Sequence, residues 1–306
     1  YWGEKPWLDR IVYKFALEGA VRAAMLEAGE VDVAERVAPV EATRLKGSPD
    51  FEMIGGPTHR MVQIGMNTLI KPFDDPRVRQ ALSYAFDKEG IVKKIMLGFS
   101  AVPDCVVPKG VVHYSPTKVY EYNPSLAKKL LAEAGYPNGF KCTLQVGWGR
   151  ITADKDVVET VQSLLAAVGV DAKIDAMTWT AHLLKLRGPL EKATYEMYMD
   201  SWGTVTAEPD WTVRRKFTKA GFPPDHNYGY YTNPRVEELT PKAPATVDAK
   251  ERDAIYKEIF KIIMEDVPVI WLYMDPAITG VRKGWTGIVV QGNIESIDVR
   301  YATFRR

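Results

Sequence analysis

Residues 66–96 read MNTLIKPFDDPRVRQALSYAFDKEGIVKKIM, and this stretch predicts two short amphipathic helices that follow a loop. Asp75 is a good N-cap, and Pro76 falls at the first helical position, where its missing N–H costs nothing. The apolar residues that recur at helical spacing behind it are Val78, Ala81, Leu82, Ala85 and Phe86. Asp87 can cap a second helix, which Gly98 ends. The stretch specifies architecture rather than chemistry, because it holds no catalytic nucleophile, metal cluster or phosphate-binding loop.

Strands and helices are predicted to alternate along the rest of the chain. Before the quoted stretch we expect a strand at 10–15, a helix at 17–28, a short strand from Val31, and strands at 51–55 and 60–66, so that the opening is β-α-β. After it we expect a helix behind Asn123, strands at 141–146, 170–176, 195–199 and 267–273, and helices at 154–168 and 249–265. The strand, helix and strand at 141–176 predict a parallel, right-handed β-α-β unit. The chain is therefore predicted to be mixed α/β.

Composition excludes several classes of protein. The 306 residues could form one large or two medium domains. With 40 basic and 39 acidic residues the net charge is +1, so no polyanionic partner is implied and nucleic acid is not an expected ligand. No apolar run approaches the roughly 20 residues that a membrane-crossing helix needs.

Cys105 and Cys142 are the two cysteines, and two interpretations are open for them. In an oxidising compartment they could form one disulfide bond, which the chain-entropy model values at roughly 3–4 kcal/mol. The alternative, which we favour, is two separate buried thiols. No histidine has the spacing to either cysteine that a structural zinc site requires.

Motifs within residues 66–96 carry a resemblance to a known family. They are Asn67-Thr68, Pro72-Phe73-Asp74-Asp75, Val78-Arg79-Gln80-Ala81 and Ala85-Phe86-Asp87-Lys88, and Gly29-Glu30-Val31-Asp32-Val33-Ala34 precedes them. The chain resembles the extracellular solute-binding proteins, family 5, of peptide, nickel and glutathione importers. The resemblance implies an α/β, two-lobed periplasmic-binding-protein-like fold (type II, cluster C), with mixed sheets and flanking helices.

The resemblance also implies a domain organisation. In this family an element like Tyr1-Trp2-Gly3 lies inside the polypeptide, so we expect the chain to be the C-terminal portion of a longer protein. Residues 1–68 would be a first lobe that lacks its N-terminal part, 69–267 the second lobe, and 268–306 the return to the first lobe. A mature protein that happens to start at Tyr1 is the alternative.

Catalytic motifs are absent from the sequence, which predicts a binding protein rather than an enzyme. There is no Gly-Lys-Ser/Thr phosphate loop, no Gly-x-Ser-x-Gly elbow and no His-Glu-x-x-His helix, and the four histidines are scattered. We expect no cofactor and no metal ligands.

Candidate ligand contacts follow predicted strands, where open α/β lobes bind ligands. Trp148 and Arg150 lie on a glycine-rich turn, and the guanidinium of Arg150 suits a carboxylate. The resemblance implies that an arginine near this position clamps the carboxylate of a dipeptide. The next loop, 200–211, supplies Trp202, which would cover the ligand, with Thr204 and Asp210 behind it.

Two positions refine the expected ligand. Val205 stands where the dipeptide-binding branch has an aspartate for the α-amino group, so the loop looks closer to the glutathione-binding branch. Asn227, in a third loop, can contact ligand, whereas Asn233 is expected to cap a helix that starts at Pro234.

The resemblance implies the ligand-binding component of an ABC importer, which captures an oligopeptide, dipeptide or glutathione between two hinged lobes. The alternatives are a nickel chelate or a sugar in the same fold, or an α/β hydrolase. The expected partners are the permease subunits, and we expect a monomer. The expected location is periplasmic or extracellular, with a lipid anchor if the source is Gram-positive.

Overall fold

The structure is a computed structural model that describes residues 3–117, 119–292 and 296–305. Its α-helices are α1 (Gly19–Glu27), α2 (Pro39–Leu45), α3 (Pro76–Ala85), α4 (Lys88–Lys94), α5 (Pro124–Glu133), α6 (Asp154–Ala167), α7 (Trp179–Leu186), α8 (Pro209–Phe217), α9 (Pro234–Ala245) and α10 (Ala249–Asp266). Its strands are β1 (Val33–Ala34), β2 (Phe51–Met66), β3 (Phe140–Trp148), β4 (Val170–Thr178), β5 (Met197–Gly203), β6 (Val269–Arg282), β7 (Trp285–Thr286), β8 (Val289–Gln291), β9 (Ser296–Asp298) and β10 (Thr303–Phe304).

The two helices predicted within residues 66–96 form, and each begins at its predicted cap, but α4 ends at Lys94, before the predicted stop at Gly98. Asp75 accepts a hydrogen bond of 2.8 Å from the backbone N–H of Arg77. Asp87 accepts one of 2.8 Å from the backbone N–H of Gly90. Both carboxylates therefore satisfy donors that a helix start leaves without intrahelical partners.

Six strands form the main sheet, in the order β1-β6-β2-β5-β3-β4. The pairs β3/β4 and β3/β5 are parallel, and β2 runs antiparallel to both β5 and β6. The β3-α6-β4 unit confirms the parallel β-α-β prediction. Two small sheets, β10-β7 and β8-β9, lie near the C-terminal end of the chain.

The long strands β2 and β6 connect the main sheet with a small core near the start of the chain. They pair from Gly65 with Val269 to Phe51 with Arg282, and the register is irregular between Pro57 and Met61. The sequence predicted two short strands here, whereas the structure has one strand with an irregularity, because the β6 partner continues past the break. Beyond it, a small core packs between α1, α2 and the outer ends of β2 and β6.

Alternate residues give the two faces of the central sheet different chemistry. Val62, Ile64 and Met199 belong to the largest apolar core, to which helices α3 to α6 contribute. Gln145 and Asp200 lie on the opposite face, where they contact α7 and α8 and are buried. A polar layer therefore lies between this face of the sheet and these two helices.

Three details of the sequence interpretation need comment. The predicted strand at 10–15 is wrong: the structure places no strand there, because no strand pairs with this segment in the part of the chain described. Helices α2, α7 and α8 were not predicted from the sequence. Cys105 and Cys142 are free and buried in different cores, so the separate-thiol alternative is confirmed.

Among the helices described, none combines the length and apolar character that spanning a membrane requires.

Candidate functional site

Sheet topology brings the predicted loops to one edge. Because β3 and β5 are parallel, with Leu144 opposite Met197, their carboxyl ends point the same way. The antiparallel strand β2 places Arg60 opposite Gly203 at that edge. We call the residues there the edge site; they are Arg60, Trp148, Arg150, Thr152, Trp202, Thr204 and Asp275.

The loop after β3 is held from two sides. Asp275, which is buried, accepts a hydrogen bond of 3.3 Å from the backbone N–H of Thr152, and the Tyr273 hydroxyl donates to the Thr152 carbonyl at 3.1 Å. From the region of the small core, the guanidinium of Arg36 donates to the carbonyl of Arg150 at 3.1 Å. The loop after β3 is therefore held both by β6, through Asp275, and by Arg36 near the small core.

Trp148 and Arg150 are both half-buried. The indole of Trp148 packs against the largest core. The carboxylate of Asp154, at the start of α6, accepts a hydrogen bond of 2.6 Å from the backbone N–H of Gly149 and so fixes the turn between them. The turn thus presents Arg150 from a defined backbone position.

The predicted loop at 200–211 is wrong at its start, because Trp202 lies within β5. Its side chain is enclosed by aromatic and cationic groups and is only 7% exposed. Its indole N–H donates to the hydroxyl of Thr212 on α8 at 2.9 Å. Its ring stacks on Trp211, with centroids 6.1 Å apart and planes 20° apart, and the His226 ring meets it edge-on at 4.9 Å. The side chain is therefore held in one orientation.

The polar residues that follow Trp202 are engaged within the protein. Thr204 is fully buried, and its hydroxyl lies 2.8 Å from that of Thr212. The carboxylate of Asp210 accepts hydrogen bonds of 3.1 and 2.9 Å from Arg214, one turn along α8. Both side chains therefore make contacts with residues of α8, and their role as ligand contacts stays a prediction.

Asn227 organises the turn in which it lies. Its amide nitrogen donates to the carbonyls of Thr218 at 2.9 Å and Tyr231 at 2.7 Å, and its oxygen accepts from the Tyr231 N–H at 3.1 Å. The side chain is buried, so a ligand role for it also stays a prediction. Asn233 caps α9 through the N–H groups of Arg235 and Val236, which confirms the predicted cap.

Charged groups surround the outer side of Trp202. The guanidinium of Arg215 lies 4.4 Å from the Trp211 ring and binds Asp225 at 2.9 and 3.0 Å. Burial raises the pKa of Asp225, but hydrogen bonds from Arg215 and His226 outweigh it and hold the pKa below its usual range. Burial lowers the pKa of His226, so its imidazole tends to be neutral.

Sequence reasoning missed Arg60, Thr212 and Asp275. The guanidinium of Arg60 reaches the Ser201 hydroxyl at 3.3 Å, next to Trp202. None of the three lies in a motif: strand pairing brings Arg60 and Asp275 to the edge site, and the packing of α8 brings Thr212 to Trp202. The described residues contain no group of three or more His, Cys, Asp or Glu side chains that could hold a metal ion.

Comparison with known proteins gives consistent matches. A family model described as "Bacterial extracellular solute-binding proteins, family 5 Middle" matches residues 1–223. The glutathione-binding protein GsiB of Escherichia coli (strain K12) is 33% identical over 284 residues, which are 92% of this chain and 55% of that protein. The chain thus spans about half the length of the curated relatives it matches.

Solved structures match the whole chain. The periplasmic binding protein DppA from Helicobacter pylori, in complex with peptide STSA, matches with a TM-score of 0.89 and 27% identity, over 100% of this chain and 59% of that one. HbpA2 from Haemophilus parasuis matches with a TM-score of 0.80 and 26% identity, over 100% of this chain and 60% of that one.

Proposed function

The chain belongs to family 5 of the bacterial extracellular solute-binding proteins, and from this premise we propose that it captures a peptide-like solute for an ABC importer. The resemblance carried by the opening motifs is confirmed, as is the periplasmic-binding-protein-like fold. The family and its neighbours are binding proteins that are extracellular or periplasmic. Our proposal for this chain includes four further points: it has no catalytic activity, it is a monomer, its partners are the permease subunits, and it carries a lipid anchor if the source is Gram-positive.

The observation that carries the proposal is that Arg150 follows β3 and Trp202 lies near the end of β5, two parallel neighbours whose carboxyl ends lie at the same edge of the sheet. A guanidinium offers a planar pair of donors that matches a carboxylate, and an indole covers a peptide backbone with a rigid apolar surface. A chain with Arg150 on a fixed turn and Trp202 fixed within β5 suits a small peptide with a free carboxyl end. The relatives that bind glutathione and the peptide STSA support this class of solute.

Closure of two lobes about β2 and β6 is the proposed mechanism of capture. We assign residues 1–68 and 268–306 to the first lobe and 69–267 to the second. The small core at the outer ends of β2 and β6 supports a separate first lobe. Val62 and Ile270, at the inner ends of these strands, pack in the largest core with α3 to α6, which favours placing the inner ends with the second lobe. A ligand that touches both lobes favours the closed state, because those contacts exist only there.

The first lobe is proposed to pack against further protein. Its exposed large apolar side chains near the start of the chain are Trp7, Ile11, Val12, Tyr13, Phe15 and Leu17. A cavity of about 390 Å³ lies beside this segment and is lined in part by Met25 and Trp285. Exposed apolar side chains that cluster in this way support a protein–protein contact there.

Thermal unfolding of the protein at its natural length, in the presence of glutathione, the peptide Ser-Thr-Ser-Ala or nickel–histidine, tests the proposal. A solute at 100 times its dissociation constant adds roughly 2.7 kcal/mol to the free energy of unfolding, so one peptide-like solute should raise the melting temperature clearly. Arg150→Gln should abolish the shift, whereas Arg235→Gln, whose guanidinium pairs with exposed Glu238 and Glu258, should keep it. A shift in melting temperature with nickel–histidine alone would contradict the proposal, and so would the absence of a shift with every solute.

A further inference from the structure

A buried ion pair lies directly behind Trp202. The Nζ atom of Lys216, on α8, lies 3.1 Å from Oδ2 of Asp200, on β5, and the two side chains are 2% and 6% exposed. Burial lowers the pKa of the Lys216 ammonium. Burial also opposes charge on Asp200, but the adjacent ammonium outweighs it and holds the pKa of Asp200 below its usual range. The two side chains therefore form a buried salt bridge.

Stability alone gives a weak reason for such a pair. The cost of removing two ions from water can exceed their mutual attraction, and apolar side chains of similar volume are often as stable. A buried pair does fix geometry, because each charge tolerates only positions close to its partner. The useful question is which neighbouring group the pair orients.

The neighbour is the indole of Trp202. Asp200 precedes it by two residues on β5, so both side chains project from the same face of the sheet. The ammonium of Lys216 lies 5.1 Å from the centroid of the Trp202 ring, which suits a cation–π contact. Thr212, one helical turn before Lys216, accepts the indole N–H at 2.9 Å. One face of α8 therefore holds both the ring and the N–H of Trp202.

We propose that Asp200 and Lys216 are positioning residues, which lock α8 to β5 and thereby fix the orientation of Trp202 for solute binding. This inference rests on the proposed function for its consequence, although the orientation of the indole can be measured without any ligand. Thr212 completes the lock by binding the indole N–H. The pair itself lies behind the ring and does not need to touch the solute.

The indole N–H signals of ¹⁵N-tryptophan-labelled protein at its natural length test the inference, with Trp202→Phe to assign the signal of Trp202. The main variant is the double replacement Asp200→Asn with Lys216→Met, which leaves no uncompensated buried charge. Its matched control is Asp175→Asn with Lys185→Met, which removes a more exposed ion pair that also joins a helix, α7, to a strand, β4. Affinity for glutathione and for Ser-Thr-Ser-Ala is measured in parallel.

In the main variant we expect the Trp202 signal to move and its hydrogen exchange to accelerate at least tenfold, while affinity for the bound probe falls at least tenfold. The control should leave the signal and the affinity unchanged. If the main variant does not fold, Lys216→Arg provides the test, because it keeps both charges but changes the contacts of the cation with Asp200 and with the Trp202 ring, and so should move the Trp202 signal and accelerate its exchange. An unchanged Trp202 signal, or a changed signal with full affinity, would overturn the inference. If the wild type binds neither probe, the proposed function fails, and the indole signal alone decides whether the pair positions Trp202.

Discussion

Lys88 is a buried lysine at the first position of α4. Its ammonium donates to the carbonyl of Tyr120 at 3.3 Å, and burial lowers its pKa from 10.5 to about 8. In the unfolded chain the lysine keeps its ordinary pKa, so the unfolded state binds more protons between the two values. The charged lysine therefore lowers the free energy of unfolding below pH 8, and this penalty disappears as the pH rises toward 10.5.

We predict that Lys88→Met changes the pH dependence of stability. Between pH 7 and pH 10, the free energy of unfolding of the wild type should gain about 2 kcal/mol relative to that of the variant, because only the wild type loses the penalty. Chemical denaturation at both pH values measures this. Lys128→Met, at an exposed position of α5, is the control and should follow the wild type. Parallel pH profiles for wild type and Lys88→Met would contradict the pKa shift.

Which single residues the sequence reveals depends on how local their interactions are. Asp75, Asp87 and Asn233 were predicted as caps because a cap binds N–H groups two or three residues away. The partner of Trp202 could not be predicted, since Thr212 reaches it only after α8 has packed on β5. The same applies to Asp275, whose contact with Thr152 joins positions far apart in the chain.

At the scale of elements, the outer end of β2 depends on one glycine. Gly55 has a φ of +104°, and a Cβ atom there would lie 1.9 Å from the carbonyl oxygen of Ala277 on β6. The next residue, Gly56, would place its Cβ with no atom within 4 Å. Alanine is therefore excluded by contacts at Gly55 but not at Gly56, so the second position serves as a control for the first.

Gly55→Ala should lower the free energy of unfolding by about 2–4 kcal/mol, because it adds both backbone strain and a clash between β2 and β6. Gly56→Ala should change it by less than about 1 kcal/mol. Thermal and chemical unfolding of both variants measure the difference. Equal effects would mean that β2 and β6 do not approach each other at Gly55 in this way.

Elements were predicted well where their pattern and their partners are close in sequence. The β3-α6-β4 unit was predicted, because its strands and helix follow each other directly. The segment at 10–15 has a strand-like pattern but no paired strand among the described residues, so pattern alone misled there. The continuity of β2 could not be read from the sequence, because Pro57 interrupts the pattern and the pairing with β6 depends on residues more than 200 positions away.

At the scale of the whole molecule, the lobe organisation and the solute class rest on the family, and composition alone would not give them. The long strands β2 and β6 provide the two connections that a hinged clamp needs, and Arg150 lies where the two proposed lobes meet. The sequence predicted both the family and this turn. It could not predict the Arg36 contact, which depends on how the lobes are placed.

Small-angle X-ray scattering of the protein at its natural length, titrated with the solute that raises its melting temperature most, tests capture between two lobes most directly. The account predicts that the radius of gyration falls, saturates at one solute per protein, and falls for Arg150→Gln only at much higher solute concentration. A radius of gyration that stays constant at saturating solute, or the absence of any peptide-like solute that binds, would contradict it.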